Sequence, residues 1–514
     1  MMKKLLRLSG VLLAVAFLCA PAKMAAATAL RFEVSVAPGL LAGPQSGRLF
    51  VVMSRDAAGE PRRRISDTGM DAPPVLARDV SDFAAGAVAV IDEKAVAFPI
   101  EDLARLPAGD YRVQAVFDFN NNQASVNAAG NLYSAVEKAH LDPARGGVVK
   151  IELTKQEPPD QLPADTEYVK YVRLQSDLLT KFHGRPIYLR AGVILPRDYE
   201  KDAQRRYPLR VQIGGYGTRY TLAQRLMAAG SGFRRTWLAD DTPRMVLLQL
   251  DGDGPFGDCY QVNSDNNGPY GDAVTKELIP YVEKKFRCIG TPRSRVLNGG
   301  STGGWVSLAL QIFYPDFFNG TWSGYPDGVD FRAFQLINVY EDDNAYVNRW
   351  GFERPSKRAA NGDVEFTIRH ECQMENVLGA GDSWTMSGQQ WGAWNAVYGP
   401  RGADGRPAPL WDPKTGKINR GVVEHWKRYD LRLYLSQNWQ RLAPRLRGKL
   451  HVWVGEADDY FLNNGVHLLD EFLATAEPPY EGKITYGPGK RHGWTPISEA
   501  ETMKEMMAAV TSDK

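Results

Sequence analysis

The sequence predicts an α/β protein with a mostly parallel central sheet, preceded by a small N-terminal β-sandwich. Three observations carry this. Strand-like and helix-like runs alternate from residue 187 onward, short β-rich runs fill the region before it, and a G-x-S-x-G pentapeptide stands where a strand gives way to a helix.

Taken in order, residues 30–155 offer β-rich runs such as RLFVVM (48–53), AVAVID (87–92) and YRVQAVFDFN (111–120), separated by Gly, Pro and Asp turns. DFNNN (118–122) reads equally as a binding feature and as an asparagine-rich hairpin turn, and no catalysis is assigned to it. Residues 156–167 are polar and proline-bearing, which favours an extended connection and a domain boundary there.

A catalytic domain is expected over 168–511. Its runs IYLRAGVILP, YPLRVQIGG, RMVLLQLDGDG, DAVTKELIPYVEKKF, SRVLNGG and WVSLALQIFY alternate in type. MVLLQL is nearly continuous Val and Leu, as suits a central strand covered on both faces. At about 331–440 the alternation breaks up in what reads as an insertion. Seven of the 12 tryptophans fall in this region: Trp350, Trp384, Trp391, Trp394, Trp411, Trp426 and Trp439. They serve either as a lid with aromatic faces or as core. The alternation resumes with KLHVWVGEADDYFLN, VHLLDEFLATA and KITYGPGKRHGW.

Composition narrows the partners. Lys and Arg number 62 against 60 for Asp and Glu, a net charge of +2, which gives no electrostatic case for nucleic acid or an anionic membrane. Residues 1–29 place Lys3, Lys4 and Arg7 before a short apolar run and small residues ending Ala27-Thr28-Ala29, a cleaved secretory signal that predicts a secreted or periplasmic protein. The run is shorter than the roughly 20 apolar residues a membrane-crossing helix needs, so no stable membrane insertion is expected. Leu18 before Cys19 argues against lipidation. Cleavage leaves Cys259, Cys288 and Cys372, an odd number that allows at most one disulfide and reads as buried filler.

Gly299-Gly300-Ser301-Thr302-Gly303 carries the chemistry. A serine on a tight strand-to-helix turn is exposed for attack, and flanking glycines let the strand and helix backbones pass closely. The helix N-terminus supplies a positive dipole end, and the Thr302 N–H is a first oxyanion donor. In this arrangement the base follows the nucleophile along the chain as a late histidine, with an acid between them. His492 comes last and follows a strand-like run. His140, His183 and His370 fall outside the order or interrupt it, His425 belongs to the insertion, and His451 and His467 suit packing roles. The acid belongs just past KLHVWV, where Asp458 is the choice and adjacent Asp459 the alternative, one of the pair serving to cap the next helix. The second oxyanion donor is a backbone N–H in Gly214-Gly215-Tyr216-Gly217, at Gly215 or Tyr216.

The aspartates Asp251, Asp253, Asp258, Asp265 and Asp272 match no calcium-loop spacing and read as solvated turns at the site's rim, so neither a metal nor a cofactor is expected.

The runs VILPRDY, GGYG, GPYGDAVTKELIPYVEKKF, GGSTGGW, a G-x-x-D acid and a terminal HGW resemble the esterase family of the α/β-hydrolase superfamily that includes esterase D, feruloyl esterases and mycolyltransferases. The resemblance spans about 185–315 and 445–500. It implies a Ser301, Asp458, His492 triad with oxyanion donors at Tyr216 and Thr302. The N-terminal β domain and the insertion depart from the small members, so the family leaves the substrate open. The expected reaction is hydrolysis of a small-molecule or carbohydrate-linked carboxylic ester through an acyl-enzyme. The same residues would serve an acyltransferase or a peptidase or amidase, and an inactive scaffold acting as an extracellular binding module is the rival of another class.

Overall fold

The computed structural model describes residues 29–512 except Met70. The expected secretory signal lies almost wholly outside the described residues.

Before residue 157 the chain forms one hydrogen-bonded network of nine strands. Arg31–Val36 pairs in parallel with Val148–Gln156, and Gln45–Ser54 pairs antiparallel with both Val75–Phe83 and Gly109–Asp118. Residues 157–168 then run without regular structure to the next strand, Val169–Gln175.

Strand Gln45–Ser54 is apolar at consecutive positions because both of its faces are covered. Leu49, Val51 and Met53 enter a cluster with Phe32, Val113 and Leu153. Phe50 and Val52 pack on Met374, Val377 and Leu378 of helix Ile368–Leu378, which belongs to the tryptophan-rich segment. Arg48 reinforces this junction. Its guanidinium, almost fully buried, donates to the carbonyls of Val377 (2.7 Å) and Asn376 (3.2 Å) and pairs with Asp79 and Asp382.

The second sheet has eight strands. Numbered along the chain from Val169–Gln175, their spatial order is 1-2-4-3-5-6-7-8. The strand Tyr188–Ile194 is antiparallel to both neighbours, and every later pairing is parallel. The protein is thus a mixed α/β fold. Val246–Leu250 is buried at every position, which explains its uninterrupted apolar run.

Helix Thr302–Phe313 follows strand Arg295–Gly300 directly and is covered along almost its whole length. Helix Leu431–Leu446 packs on it, with the rings of Phe313 and Tyr434 5.0 Å apart. Six of the seven tryptophans are buried. Trp384, Trp391, Trp394, Trp411 and Trp426 interlock with Phe331, Phe334 and Tyr398, whereas Trp350 is 71% exposed. The segment is therefore mainly core, and only Trp394 among the seven reaches the cavity described below.

Cys259, Cys288 and Cys372 are buried free thiols. Among the described residues no helix is long and apolar enough to cross a membrane.

Asp265 is exposed, as a solvated turn would be, and Asp272 partly so, but Asp251, Asp253 and Asp258 are not the solvated turns expected. Asp251 and Asp253 are held by Arg219 at 2.7 and 2.9 Å, and Asp258 is buried, its carboxyl pushed up to about 8 by desolvation. Sequence spacing hid Arg219, which arrives from the loop after strand Leu209–Ile213. Among the described residues no group of three or more His, Cys, Asp or Glu side chains could hold a metal.

Candidate active site

Ser301 stands between strand Arg295–Gly300 and helix Thr302–Phe313 with φ 58 and ψ −126, a conformation costly for a residue bearing a Cβ. Backbone close approach makes the turn. A Cβ on Gly299 would lie 2.1 Å from the Gly303 carbonyl oxygen, and one on Gly303 would lie 2.3 Å from that of Ile213. Two bonds from the end of strand Thr321–Gly324 clasp the serine. Its N–H donates to the Gly324 carbonyl at 3.0 Å, and its carbonyl accepts from the Asp327 N–H at 3.3 Å.

His492 Nδ1 and Asp458 Oδ2 are 2.8 Å apart. Asp458 is fully buried, and its Oδ1 accepts from the N–H groups of Tyr460 (3.0 Å) and Leu462 (3.3 Å). Asp459 points elsewhere and pairs with Arg491 at 2.6 Å. The tryptophan-rich segment braces this loop, because Arg358 Nε donates to the Asp458 carbonyl and the Arg358 N–H to that of Asp459, each at 3.0 Å. Tyr325 and Tyr460 meet the His492 ring edge-on at 4.8 and 5.1 Å. Burial pushes the imidazole down. The Asp458 bond and the charges of Asp458, Asp327 and Asp459 more than offset this, so His492 titrates above the usual imidazole range.

Ser301, His492, Gly215 and Tyr216 line one cavity of about 510 Å³. A Cβ on Gly215 would lie 3.7 Å from Ser301 Cβ, which sets the loop after strand Leu209–Ile213 against the serine. Tyr216 OH donates to the Gly388 carbonyl at 2.6 Å and ties that loop to the tryptophan-rich segment. Thr302 is the first residue of its helix, where an N–H has no intrahelical acceptor.

Sequence reasoning missed Asp327. Its Oδ2 accepts from Tyr260 OH (2.6 Å), Thr302 Oγ1 (2.9 Å) and Trp394 Nε1 (3.2 Å), and its Oδ1 accepts from Ser301 Oγ at 3.4 Å. Burial raises its carboxyl against the lowering effect of those donors. Ser301 thus donates to Asp327, and no hydrogen bond joins Ser301 to His492 among the described residues. Catalytic hydrogen bonds of this kind commonly tighten only when substrate binds. Asp327 lies just past the end of the strand beside that of Ser301, the one signal that marks it.

The remaining histidines have partners away from Ser301. His183, His370 and His425 bond to the carbonyls of Asn267, Thr68 and Tyr398, His140 pairs with Asp110, His451 stacks on Trp322, and His467 stacks on Tyr486.

Among solved structures, a fluorophosphonate-binding serine hydrolase of Staphylococcus aureus is similar at 12% identity, over 67% of this chain and 98% of that one, with a TM-score of 0.38. An S-formylglutathione hydrolase from Agrobacterium tumefaciens is similar at 11% identity, over 68% and 95%, with a TM-score of 0.36. A ferulic acid esterase from Anaeromyces mucronatus is similar at 11% identity, over 68% and 93%, with a TM-score of 0.32. No curated protein sequence matches the chain. The family model described as "Putative esterase" matches residues 188–479, more than half of the chain, and the chain belongs to that esterase family.

Proposed function

We propose that the protein hydrolyses a carboxylic ester through an acyl-enzyme on Ser301, with His492 as base and Asp458 as its partner. The observation that carries this is the strained Ser301 turn in one cavity with a His492 already paired to buried Asp458. On substrate binding, His492 Nε2 takes the proton from Ser301 Oγ as Oγ bonds to the acyl carbon. The carbonyl π pair moves to oxygen, where the N–H groups of Tyr216 and Thr302 receive the charge. Collapse breaks the bond to the alcohol oxygen, which leaves with the proton from His492. Water repeats the sequence and releases the acid. Asp458 fixes the tautomer that leaves Nε2 free as base, and stabilises the imidazolium.

The eight-stranded sheet, in this reading, is an α/β-hydrolase sheet, the N-terminal strands form a sandwich-like domain over about 30–155, and the catalytic domain spans 168–511. The basic, apolar and small-residue order of residues 1–29 supports export and cleavage before Leu30. N-terminal sequencing of exported protein beginning elsewhere would contradict that cleavage.

The deciding experiment is labelling by a fluorophosphonate, with hydrolysis of p-nitrophenyl acetate and a matched p-nitroanilide measured alongside. Wild type labels and cleaves the ester, while Ser301→Ala does neither. A folded wild-type protein that does not label refutes the nucleophile, and preferred cleavage of the anilide refutes the ester.

A further inference from the structure

The N-terminal strands and their loops lie outside the segment matched by the family, yet one of those loops reaches the catalytic cavity. Ser66 and Thr68, on the loop after the short helical turn Pro61–Arg64, line that cavity with Ser301 and His492. The loop is anchored on both sides. The Thr68 carbonyl is 3.0 Å from His370 Nε2. Buried Arg62 bonds to Gln114 through its N–H (3.1 Å) and to Asn127 through its guanidinium (2.6 Å), which ties the loop to residues 124–127.

A second cavity of about 300 Å³ adjoins the first, and Ser66, Tyr216, Thr218 and Gln389 belong to the walls of both. Its far wall is residues 124–127, in the loop between strands Gly109–Asp118 and Leu132–Ser134, and Arg219 and Asp253 face them from the catalytic side. That charged pair is joined at 2.9 Å, and Arg219 also holds Asp251. Apart from the Asp258 carboxyl, which burial pushes up to about 8 and whose Oδ1 accepts from the Tyr260 N–H at 2.9 Å, what remains for a ligand is a set of neutral groups, the hydroxyls of Ser66, Ser125 and Thr218 and the amides of Asn127 and Gln389.

The direction of the reaction assigns the two ends. His492 must deliver a proton to the leaving oxygen, so the alcohol lies toward His492 and Tyr460, and the acyl part extends past Tyr216 and Thr218. We propose that the second cavity is an acyl-side subsite built across the junction of the two sheets, and that it takes an uncharged acyl chain rich in hydroxyl, ether or amide groups. This rests on the Ser301 reading. Ser66 and Ser125 are its specificity-determining residues, because they bound the passage and the chamber while Ser301, His492 and Asp458 lie outside it.

The test uses the full chain and three fluorophosphonates whose arm on phosphorus is ethyl, a tetraethylene glycol chain, or an alkyl chain of equal length. Wild type is expected to label faster with the glycol arm than with the long alkyl arm. Ser66→Trp and Ser125→Trp replace exposed residues, and each is expected to lower the ratio of glycol-arm to ethyl-arm rate at least tenfold. Ratios within twofold of wild type in both variants, at matched thermal melts, overturn the subsite. A wild-type preference for the long alkyl arm overturns its polar class. Absence of labelling by the ethyl probe is instead the failure of the Ser301 reading, and it removes the subsite with it.

Discussion

Asp458→Asn removes one charge and almost no volume, so it isolates what the acid does for His492. Asp458 Oδ1 accepts from two backbone N–H groups, those of Tyr460 at 3.0 Å and Leu462 at 3.3 Å. An asparagine must keep its oxygen there, because turning the amide would set two donors against two donors. Its NH2 then faces His492 Nδ1, now 2.8 Å from Asp458 Oδ2. The ring must accept at Nδ1 and carry its proton on Nε2, the wrong tautomer for a base. The same forced tautomer in a well-studied serine protease lowers kcat about 10⁴-fold, roughly 5.5 kcal/mol of transition-state stabilisation. We expect a loss of that order in kcat for p-nitrophenyl acetate, with little change in KM. Asp459→Asn, whose carboxylate pairs with Arg491 instead, is expected to stay within a few-fold of wild type. A kcat for Asp458→Asn within tenfold of wild type, in protein with an unchanged melt, would refute the reasoning, as would a larger loss in Asp459→Asn.

Further outcomes follow from other contacts. His492 titrates above the ordinary imidazole value of 6.5, so kcat/KM should fall with decreasing pH through a midpoint above 6.5. The anions raising it are Asp458, Asp327 and Asp459, so Asp327→Asn should move that midpoint down. Loss of the Asp327 charge beside the imidazolium that forms on His492 should also lower kcat, by about 10-fold, whereas an effect on the melt alone would leave Asp327 a packing residue. The same shift stabilises the fold while His492 is protonated, a contribution full below 6.5 and lost as pH rises through the folded-state value. Gly303→Ala places a Cβ 2.3 Å from the Ile213 carbonyl oxygen and should cost about 1–3 kcal/mol and abolish fluorophosphonate labelling. Arg48→Met strands the buried carbonyls of Asn376 and Val377 and should destabilise by about 2–4 kcal/mol in a denaturant melt, while an unchanged midpoint would show that the junction does not depend on it.

Local chemistry was legible in the sequence. The strand, glycine turn and helix around Ser301 follow from nearby residues, since only glycines at 299 and 303 permit the backbone contacts that expose the serine. The buried strand Val246–Leu250 declared itself by its apolar run, and the late His492 by its place in the chain. Features that depend on distant partners were not legible. Asp458 and Asp459 are chemically alike neighbours, and only the fold aims one at His492 and the other at Arg491. The aspartates near 251 looked solvated because Arg219 is remote in sequence. Tryptophans carry the same signal in a lid and in a core, and burial separates the two only when facing elements are in place. Asp327 is a lone acid in a loop whose role at the serine exists only because adjacent parallel strands end side by side. The sequence by itself determined the elements and the nucleophile's turn, because these rest on contacts within a few residues. Which aspartate meets His492, the carboxylate beside Ser301 and the N-terminal wall of the cavity were decided by tertiary structure, because each is a meeting of side chains more than 25 positions apart in the chain.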